Sequence, residues 1–308
     1  MGRFATSDCG IKHQSLQGAL STSKMKKIHL WVAVIAALSV VSCQTMLENE
    51  AEKQYEQNEI EIQNYISSKQ LTMQKSPSGL YYSITKTNPN GQKPNVGDLI
   101  SIHYTLFKMS GAKFDSTERS KNAPFLYVYG INRLILGMDE GLAMMRQGEK
   151  GLFLMNHSLA LGSQSDALLP AFSAVGAEVE IMSVRNEEQQ IDDYVAAKTL
   201  SVTEKTSSGL RFVKTTSTTN AQVKIGDVVS VKYTGKLLTD KQFDTGEISV
   251  KIGAGGVIKG FDEGISKMRM GEKATLIFPS SLGYGTTGSG SVIRPYAPLL
   301  FEVEIVNK

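Results

Sequence analysis

The sequence is poor in cysteine, tryptophan and histidine, and each scarcity narrows what the protein can be. Its 308 residues include two Cys, one Trp and four His. Cys9 falls in a leader segment, so Cys43 is the only remaining thiol, and neither a disulfide framework nor thiol catalysis is available. The four His are scattered and predict no metal site. The apolar run over 28–41 is too short to span a membrane.

The first part of the chain has the order of a secretory signal. Met25 and two lysines form a basic start, the apolar run 28–41 follows, and Ser42-Cys43 ends it. The sequence Val-Val-Ser-Cys at 40–43 resembles a bacterial lipobox, which implies cleavage before Cys43 and acylation of its thiol. A plain signal peptide with an incidental Cys is the alternative. Residues 1–24 lack apolar periodicity, so we expect Met25 to be the true start.

The charge balance gives no support to a nucleic-acid partner. The whole chain has 33 Lys and Arg against 30 Asp and Glu, a net charge of +3. Residues 1–42 contain five of the basic residues and one of the acidic ones, so the rest has 28 and 29 and a net charge near −1. The apparent basicity belongs to the leader, and no nucleic-acid binding is expected.

A tandem repeat organises the remainder. The segment Val-Ile-Lys-Gly-Phe-Asp-Glu-Gly-Ile at 257–265, followed by Gly-Glu-Lys at 271–273, returns as Leu-Ile-Leu-Gly-Met-Asp-Glu-Gly-Leu at 134–142 with Gly-Glu-Lys at 148–150. In the second copy Phe261, Ile265 and Met268 fall at i, i+4 and i+7. This spacing predicts a short helix with one apolar stripe against a sheet.

Strand patterns repeat around that helix. Alternating β-branched segments match at 97–105 and 226–234, Phe-Asp pairs at 114–115 and 243–244, and closing strands at 177–181 and 301–305. Each unit therefore predicts an α+β fold in which an antiparallel sheet wraps around one short helix. The expected segments are a leader and signal peptide over 1–42, a polar tether or spacer helix over 43–72, a first domain over 73–186, and a linker helix with a second domain over 187–308. The polar stretch 48–69 also fits a dimerisation helix, and the oligomeric state stays open.

The second unit resembles the FKBP-type peptidyl-prolyl isomerases. The segments that carry the resemblance are 231–235, 243–244, 257–261, 282–285 and 293–301. The resemblance implies two FKBP-like domains and catalysis of rotation about X-Pro bonds. That rotation has a barrier of about 18–20 kcal/mol because twisting breaks amide resonance. An apolar pocket favours the twisted, less dipolar amide, so no cofactor or metal is needed.

The resemblance also assigns roles to residues. The Ile258 backbone amide and the Tyr284 hydroxyl would each hold a substrate carbonyl, and Asp244 would be the polar group at the pocket edge, hydrogen-bonded to Tyr233. The full set of implied catalytic residues is Tyr233, Phe243, Asp244, Val257, Ile258, Phe261, Tyr284, Ile293 and Phe301. Phe261 stands where the family usually has Trp. The loop after Asp244 is shorter than is usual and lacks its Arg, so we expect altered substrate preference and weaker macrolide binding.

The first unit departs further from the family. It keeps the equivalents of six substrate-binding residues, which are Tyr104, Phe114, Asp115, Phe125, Leu134 and Ile135. Met138 replaces the aromatic floor, Leu161 the Tyr, and Ala177 the last Phe. We interpret this unit as a degenerate copy that is weakly active or inactive and still holds clients.

Three functions fit these features. The first is a prolyl isomerase that assists the folding of exported proteins, whose partners are unfolded or extended proline-containing chains. The second is a non-catalytic holdase or interaction module that uses both clefts, and the third is a structural part of an envelope complex. Acylation of Cys43 would place the protein on a membrane facing the periplasm, and Gln44 after the Cys favours the outer membrane of a Gram-negative bacterium.

Overall fold

The computed structural model describes residues 50–131, 135–165 and 167–306. Three expectations concern residues outside these ranges: the start at Met25, the acylation of Cys43 and the substrate-binding role of Leu134. Within these ranges no helix combines the length and apolar character needed to cross a membrane. The helices are α1 (50–68), α2 (Leu136–Met144), α3 (Glu187–Ala197) and α4 (Lys259–Ser266).

The first domain is built on one antiparallel sheet in the order β1-β2-β6-β7-β3-β4, with β5 also paired to β3. Its strands are β1 (Gln74–Lys75), β2 (Tyr81–Lys86), β3 (Leu99–Lys108), β4 (Lys113–Ser116), β5 (Phe125–Val128), β6 (Lys150–Met155) and β7 (Val175–Arg185). Helix α2 lies between β5 and β6 in the chain, as the repeat pattern predicts.

The second domain repeats this order with one simplification. Its sheet runs β11-β10-β13-β12-β9-β8 and is antiparallel throughout. A single long strand, β11, pairs with β10 where the first domain uses both β4 and β5, because the loop after Asp244 is short. The strands are β8 (Glu204–Lys205), β9 (Arg211–Thr216), β10 (Val228–Leu237), β11 (Gln242–Lys251), β12 (Lys273–Phe278) and β13 (Leu299–Val306). The expected α+β class is confirmed.

Each core lies between a sheet and the short helix that it wraps. Phe261 and Ile265 are at most 2% exposed, which confirms the predicted apolar stripe on α4. Met268 is also fully buried, but the helix ends at Ser266, so this side chain reaches the core from the turn that follows and not from the helix as predicted. Gly264 lets α4 approach the sheet closely, since a Cβ there would lie 2.3 Å from a methyl carbon of Leu276. The Gly-Glu-Lys turn that follows is held by a buried carboxylate, because Glu272 accepts a hydrogen bond from the Arg269 amide.

Helices α1 and α3 precede the two domains, and each packs on the sheet face opposite to the one that α2 or α4 covers. Ile62 of α1 is fully buried in a cluster with Tyr81 and Leu154, and Ile191 of α3 is fully buried with Ile277 and Leu300. Residues 43–72 were expected to form a tether or spacer. Within that segment, the part of α1 around Ile62 belongs to the first domain's packed structure.

The two domains are joined through α3 with almost no intervening chain. Only Asn186 separates β7 from α3, and it forms a capping box with Gln189, whose side chain also bonds Gln92 of the first domain. Tyr296 of the second domain packs on Gly97 of the first, where an added Cβ would lie 2.6 Å from the Tyr ring. The backbone φ of Gly97 is +93°, which also favours glycine.

Candidate active site

A cleft of about 410 Å³ opens on the second domain between the sheet and the start of α4. Tyr233 comes from β10, Asp244 from β11, Phe261 from α4 and Phe301 from β13, while Tyr284 follows a short 3₁₀ turn after β12. The cleft is lined by Tyr233, Asp244, Ile248, Gly255, Gly256, Val257, Ile258, Phe261, Tyr284 and Phe301. Seven of the nine predicted catalytic residues therefore meet at one place.

The floor of the cleft is a cluster of aromatic rings around Phe301. The ring of Phe261 lies edge-on to it at 5.3 Å between centroids, and Phe278 stacks on it at 5.8 Å. Tyr233 contacts Phe261 edge-on at 5.7 Å. Edge-to-face and offset contacts of this kind stabilise aromatic clusters, so the floor is rigid and apolar.

The polar edge of the cleft is a hydrogen-bonded pair. The Tyr233 hydroxyl donates to Asp244 Oδ2 at 2.9 Å, and the other carboxylate oxygen of Asp244 accepts from the Thr245 amide at 2.9 Å. Burial, and then the bond to Asp244, raise the pKa of Tyr233 above its usual value of 10.0. Tyr233 is therefore a neutral donor at neutral pH, and its bond orients the carboxylate.

Two further donors face the cleft. Ile258 caps α4 with extended backbone angles (φ −61°, ψ 147°), and its carbonyl accepts the first helical bond, from Asp262. The Ile258 amide donates to no group in the part of the chain that the structure describes, so it is available to a ligand. Tyr284 is 37% exposed beside the cleft. An apolar pocket with a few such donors is typical of a small-ligand or peptide site.

Phe243 and Ile293 do not line the cleft. Phe243 supports the floor from the side, edge-on to Phe301 at 5.6 Å. Ile293 is 6% exposed in the core, and its backbone pairs with Ser289 in a bridge that closes the loop after Tyr284. Sequence reasoning missed Ile248, Gly255 and Gly256, which also line the cleft. For Gly255 and Gly256, the position immediately before the Val-Ile-Lys-Gly motif was the available signal, whereas Ile248 lies on β11 with no such signal.

Comparison with known protein families agrees with this geometry. A family model described as FKBP-type peptidyl-prolyl cis-trans isomerase matches residues 90–182 and 219–306. The chain belongs to this family. One match falls within each of the two sheet-forming regions, so the molecule contains two FKBP domains.

Curated FKBP relatives are similar to different shares of the chain. Peptidyl-prolyl cis-trans isomerase FKBP10 of Homo sapiens is 33% identical over 232 residues, which is 73% of this chain and 36% of that protein. FK506-binding protein 2 of Kluyveromyces lactis is 51% identical over 88 residues, 27% of this chain and 63% of that protein. Among solved structures, wheat FKBP73 is 20% identical with a TM-score of 0.39, over 77% of this chain and 98% of that one. The chain spans about a third of the length of the first relatives.

The first FKBP domain keeps the polar pair but not the aromatic floor. The Tyr104 hydroxyl donates to Asp115 Oδ2 at 2.9 Å, and burial with this bond raises the pKa of Tyr104 to about 12. Phe125 stands edge-on to Tyr104 at 6.1 Å and is 40% exposed. Phe114 packs at the edge of the core, and Ile135 caps α2 as Ile258 caps α4.

The replaced positions of the first FKBP domain are filled by core side chains. Met138 is 2% exposed and Ala177 is fully buried, while Leu161 packs against the same core from the loop that corresponds to the Tyr284 loop. That loop is fastened by α1. Asn58 donates to the Phe172 carbonyl at 3.1 Å and accepts from the His157 amide at 2.8 Å.

The second FKBP domain fastens its loop by an equivalent contact that sequence reasoning also missed. Both carboxylate oxygens of Glu187, at the start of α3, accept from Ser280, one from its amide and one from its hydroxyl at 2.8 Å. The Ser280 carbonyl in turn accepts from the amides of Gly283 and Gly285, which flank Tyr284. The position of Tyr284 therefore depends on α3.

Proposed function

We propose that the second FKBP domain is a peptidyl-prolyl cis-trans isomerase. The observation that carries this proposal is the convergence of Phe261, Tyr284 and the unused Ile258 amide on one aromatic-floored cleft. A proline ring fits an apolar cleft of this size, and the residues that carry the two donors, Ile258 and Tyr284, both line it. We assign these donors to the carbonyls on either side of the proline.

The mechanism needs no acid, base or nucleophile. The planar amide is more dipolar than the twisted one, so an apolar, water-poor cleft destabilises the ground state relative to the transition state. The Ile258 amide and the Tyr284 hydroxyl fix the flanking carbonyls, which holds the chain while the X-Pro bond turns. Asp244, oriented by Tyr233, supplies the polar edge that keeps the extended chain in register.

Protease-coupled isomerisation of a short X-Pro peptide by residues 43–308 tests this proposal. The variants Tyr284→Leu and Phe261→Met rewrite the second site as the first one. If the parent is active and these changes together reduce it to the uncatalysed rate, the second domain is the catalyst. Activity that persists through both changes would assign catalysis to the first domain as well. An inactive parent would contradict the enzyme proposal and favour the holdase.

A second function, client holding, is favoured by the surface of the first domain. Phe125 is 40% exposed and the adjacent Leu126 is 58% exposed, so apolar surface lies beside the Tyr104 site. An exposed aromatic beside an apolar side chain is suited to contact with unfolded chains. Suppression of aggregation of a proline-free unfolded protein, and its loss in Phe125→Ser, would test holding without an isomerase readout.

For the cellular setting we propose a lipid-anchored envelope protein that acts on exported, proline-containing chains. This rests on the signal-like order of residues 25–43 and on the lipobox-like sequence that ends at Cys43. Labelling with a radioactive fatty acid, followed by membrane fractionation of the wild type and Cys43→Ala, tests it. Label in neither protein would contradict acylation, and recovery of the wild type in the inner membrane would contradict the outer-membrane location.

A further inference from the structure

A second pocket lies where the first domain, α3 and the second domain meet. Its volume is about 460 Å³, and apolar atoms dominate its walls. It is distinct from the cleft at Tyr284, since the two share no lining residue. The side chains that matter here are Leu99 and Leu126 from the first domain, Tyr194 from α3, and Leu238, Pro298 and Arg294 from the second domain.

Arg294 is the unusual member of this pocket. Its guanidinium makes no hydrogen bond or ion pair with any residue that the structure describes. Burial lowers the pKa of Arg294, and no carboxylate offsets that effect. Arg294 is half-buried, so its charge loses part of its hydration and no anionic partner among the described residues replaces it. Its planar guanidinium presents donors that a carboxylate can satisfy two at a time.

The other charges around the pocket are already paired. Arg185 Nε donates to Asp193 Oδ2 at 2.9 Å. The Tyr194 hydroxyl donates to Asp240, which also pairs with Lys198 at 2.6 Å. The positive charge of Arg294 therefore remains without a partner in a pocket whose walls are mostly apolar, and an occupant that complements it must bring both a negative charge and apolar surface.

We propose that this interdomain pocket binds an extended polypeptide segment that places a carboxylate on Arg294 and apolar side chains against Leu126 and Leu238. The proposal rests on the proposed function only in naming clients as the source of that segment. The carboxylate would form a charge-assisted pair with Arg294, and the apolar side chains would bury the exposed Leu126. Because both domains contribute walls, the segment would hold them together.

Fluorescence anisotropy with proline-free peptides tests the proposal without using the isomerase activity. The probe is a labelled, C-terminally amidated Leu-Ala-Leu-Glu peptide, and its partner has Gln in place of Glu. We expect the Glu peptide to bind about tenfold more tightly than the Gln peptide, from one charge-assisted hydrogen-bonded pair. Arg294→Gln should remove that difference, and Leu126→Ser should weaken both peptides.

Two further variants isolate the pocket. Arg269→Gln makes the same charge change in the second domain at a residue that does not line the pocket, so it should keep the preference for Glu. Tyr284→Leu should bind both peptides as the wild type does. Equal binding of the Glu and Gln peptides, or their loss in Tyr284→Leu, would overturn the proposal. Acetate should compete only weakly if the apolar side chains contribute. Displacement of the labelled Glu peptide by acetate at the same concentration as unlabelled Glu peptide would therefore indicate a site for small anions only, and would also overturn the proposal.

Discussion

Glu187 holds Ser280 with both of its carboxylate oxygens, and this contact joins the start of α3 to the loop that carries Tyr284. Ser280 is 4% exposed, so its amide has no water to replace the carboxylate. The equivalent contact in the first domain is made by Asn58 of α1. In each domain the helix that precedes it therefore sets the position of one loop, which follows β6 in the first domain and β12 in the second.

Replacing Glu187 by Ala should loosen that loop. A buried amide left without an acceptor costs about 1–3 kcal/mol, and we expect the free energy of unfolding of the second domain to fall by that amount. The catalytic efficiency on an X-Pro peptide should fall several-fold, because Tyr284 is no longer fixed. Urea unfolding and the protease-coupled assay measure the two effects. Glu304→Ala, which breaks only an exposed pair with Lys273, is the control and should change neither value appreciably.

Tyr233→Phe should lower the isomerase activity, whereas the equivalent change in the first domain should not. The change removes the hydroxyl that orients Asp244, and one hydrogen bond of about 1 kcal/mol corresponds to a loss of about fivefold in catalytic efficiency. Tyr104→Phe removes the matching bond to Asp115 in the first domain and is the matched control. An equal loss in Tyr104→Phe would contradict the assignment of catalysis to the second domain.

Asp192→Ala should destabilise the second domain through a buried arginine. Arg211 is 2% exposed, and its guanidinium bonds Asp192 Oδ1 at 2.6 Å. Removing that partner leaves a buried cation poorly compensated, and we expect a loss of about 1–3 kcal/mol, since Asp192 itself is partly exposed. Asp193→Ala alters the next residue, whose exposed pair with Arg185 is screened. A stability loss for Asp193→Ala as large as that for Asp192→Ala would show that Arg211 is not the cause.

Titration of Asp139 should make the first domain less stable as the pH rises. Burial raises the pKa of Asp139 above its ordinary value of 3.8, although the Tyr127 hydroxyl donates to it. The folded state therefore holds the proton more tightly than the unfolded state does. Stability should fall as the pH rises from that ordinary value through the raised pKa, and then level off.

Asp139→Asn removes this titration while keeping an acceptor for Tyr127. The difference in the free energy of unfolding between Asp139→Asn and the wild type should grow with pH over that window. Urea unfolding of both proteins at several pH values measures it. Tyr127→Phe removes the bond that lowers the pKa of Asp139, so its slope should be steeper than that of the wild type. A pH-independent difference would contradict the prediction.

Gly97→Ala should disturb the contact between the domains. An added Cβ would clash with the Tyr296 ring and would also strain a backbone φ of +93°. Gly226 is its counterpart in the second domain, with a φ of +91° and no atom within 4 Å of an added Cβ. Both substitutions carry the strain, but only Gly97→Ala should expand the molecule in small-angle scattering. Tyr296→Ala on the Gly97→Ala background should restore the scattering of Tyr296→Ala alone.

Much of this architecture could be predicted because the sequence contains a tandem repeat, so each unit could be compared with the other. The matching of 97–105 with 226–234 located the strands, and the apolar spacing of Phe261 and Ile265 identified the helix face that is buried. The same spacing extended the helix to Met268, whereas α4 ends at Ser266. Short, local periodicities of this kind reflect burial directly.

The contacts of the preceding helices could not be predicted in the same way. Glu187 and Asn58 are polar, and nothing in the local pattern distinguishes a buried contact from a solvated one. Their partners, Ser280 and His157, lie about a hundred residues away in the chain, where only the fold brings them close. The repeat of Tyr65 as Tyr194 in the two helices was the signal that each helix belongs to the domain that follows it.

The packing of Tyr296 on Gly97 has a thermodynamic consequence. Tyr296 and Tyr284 belong to one loop, which is closed by the bond from the Tyr296 amide to the Gly285 carbonyl. A substrate that binds Tyr284 more tightly when the loop is docked must strengthen the contact between the domains by the same factor. Under that condition the first domain would act as an effector of the second, although none of the residues that line the cleft belongs to it.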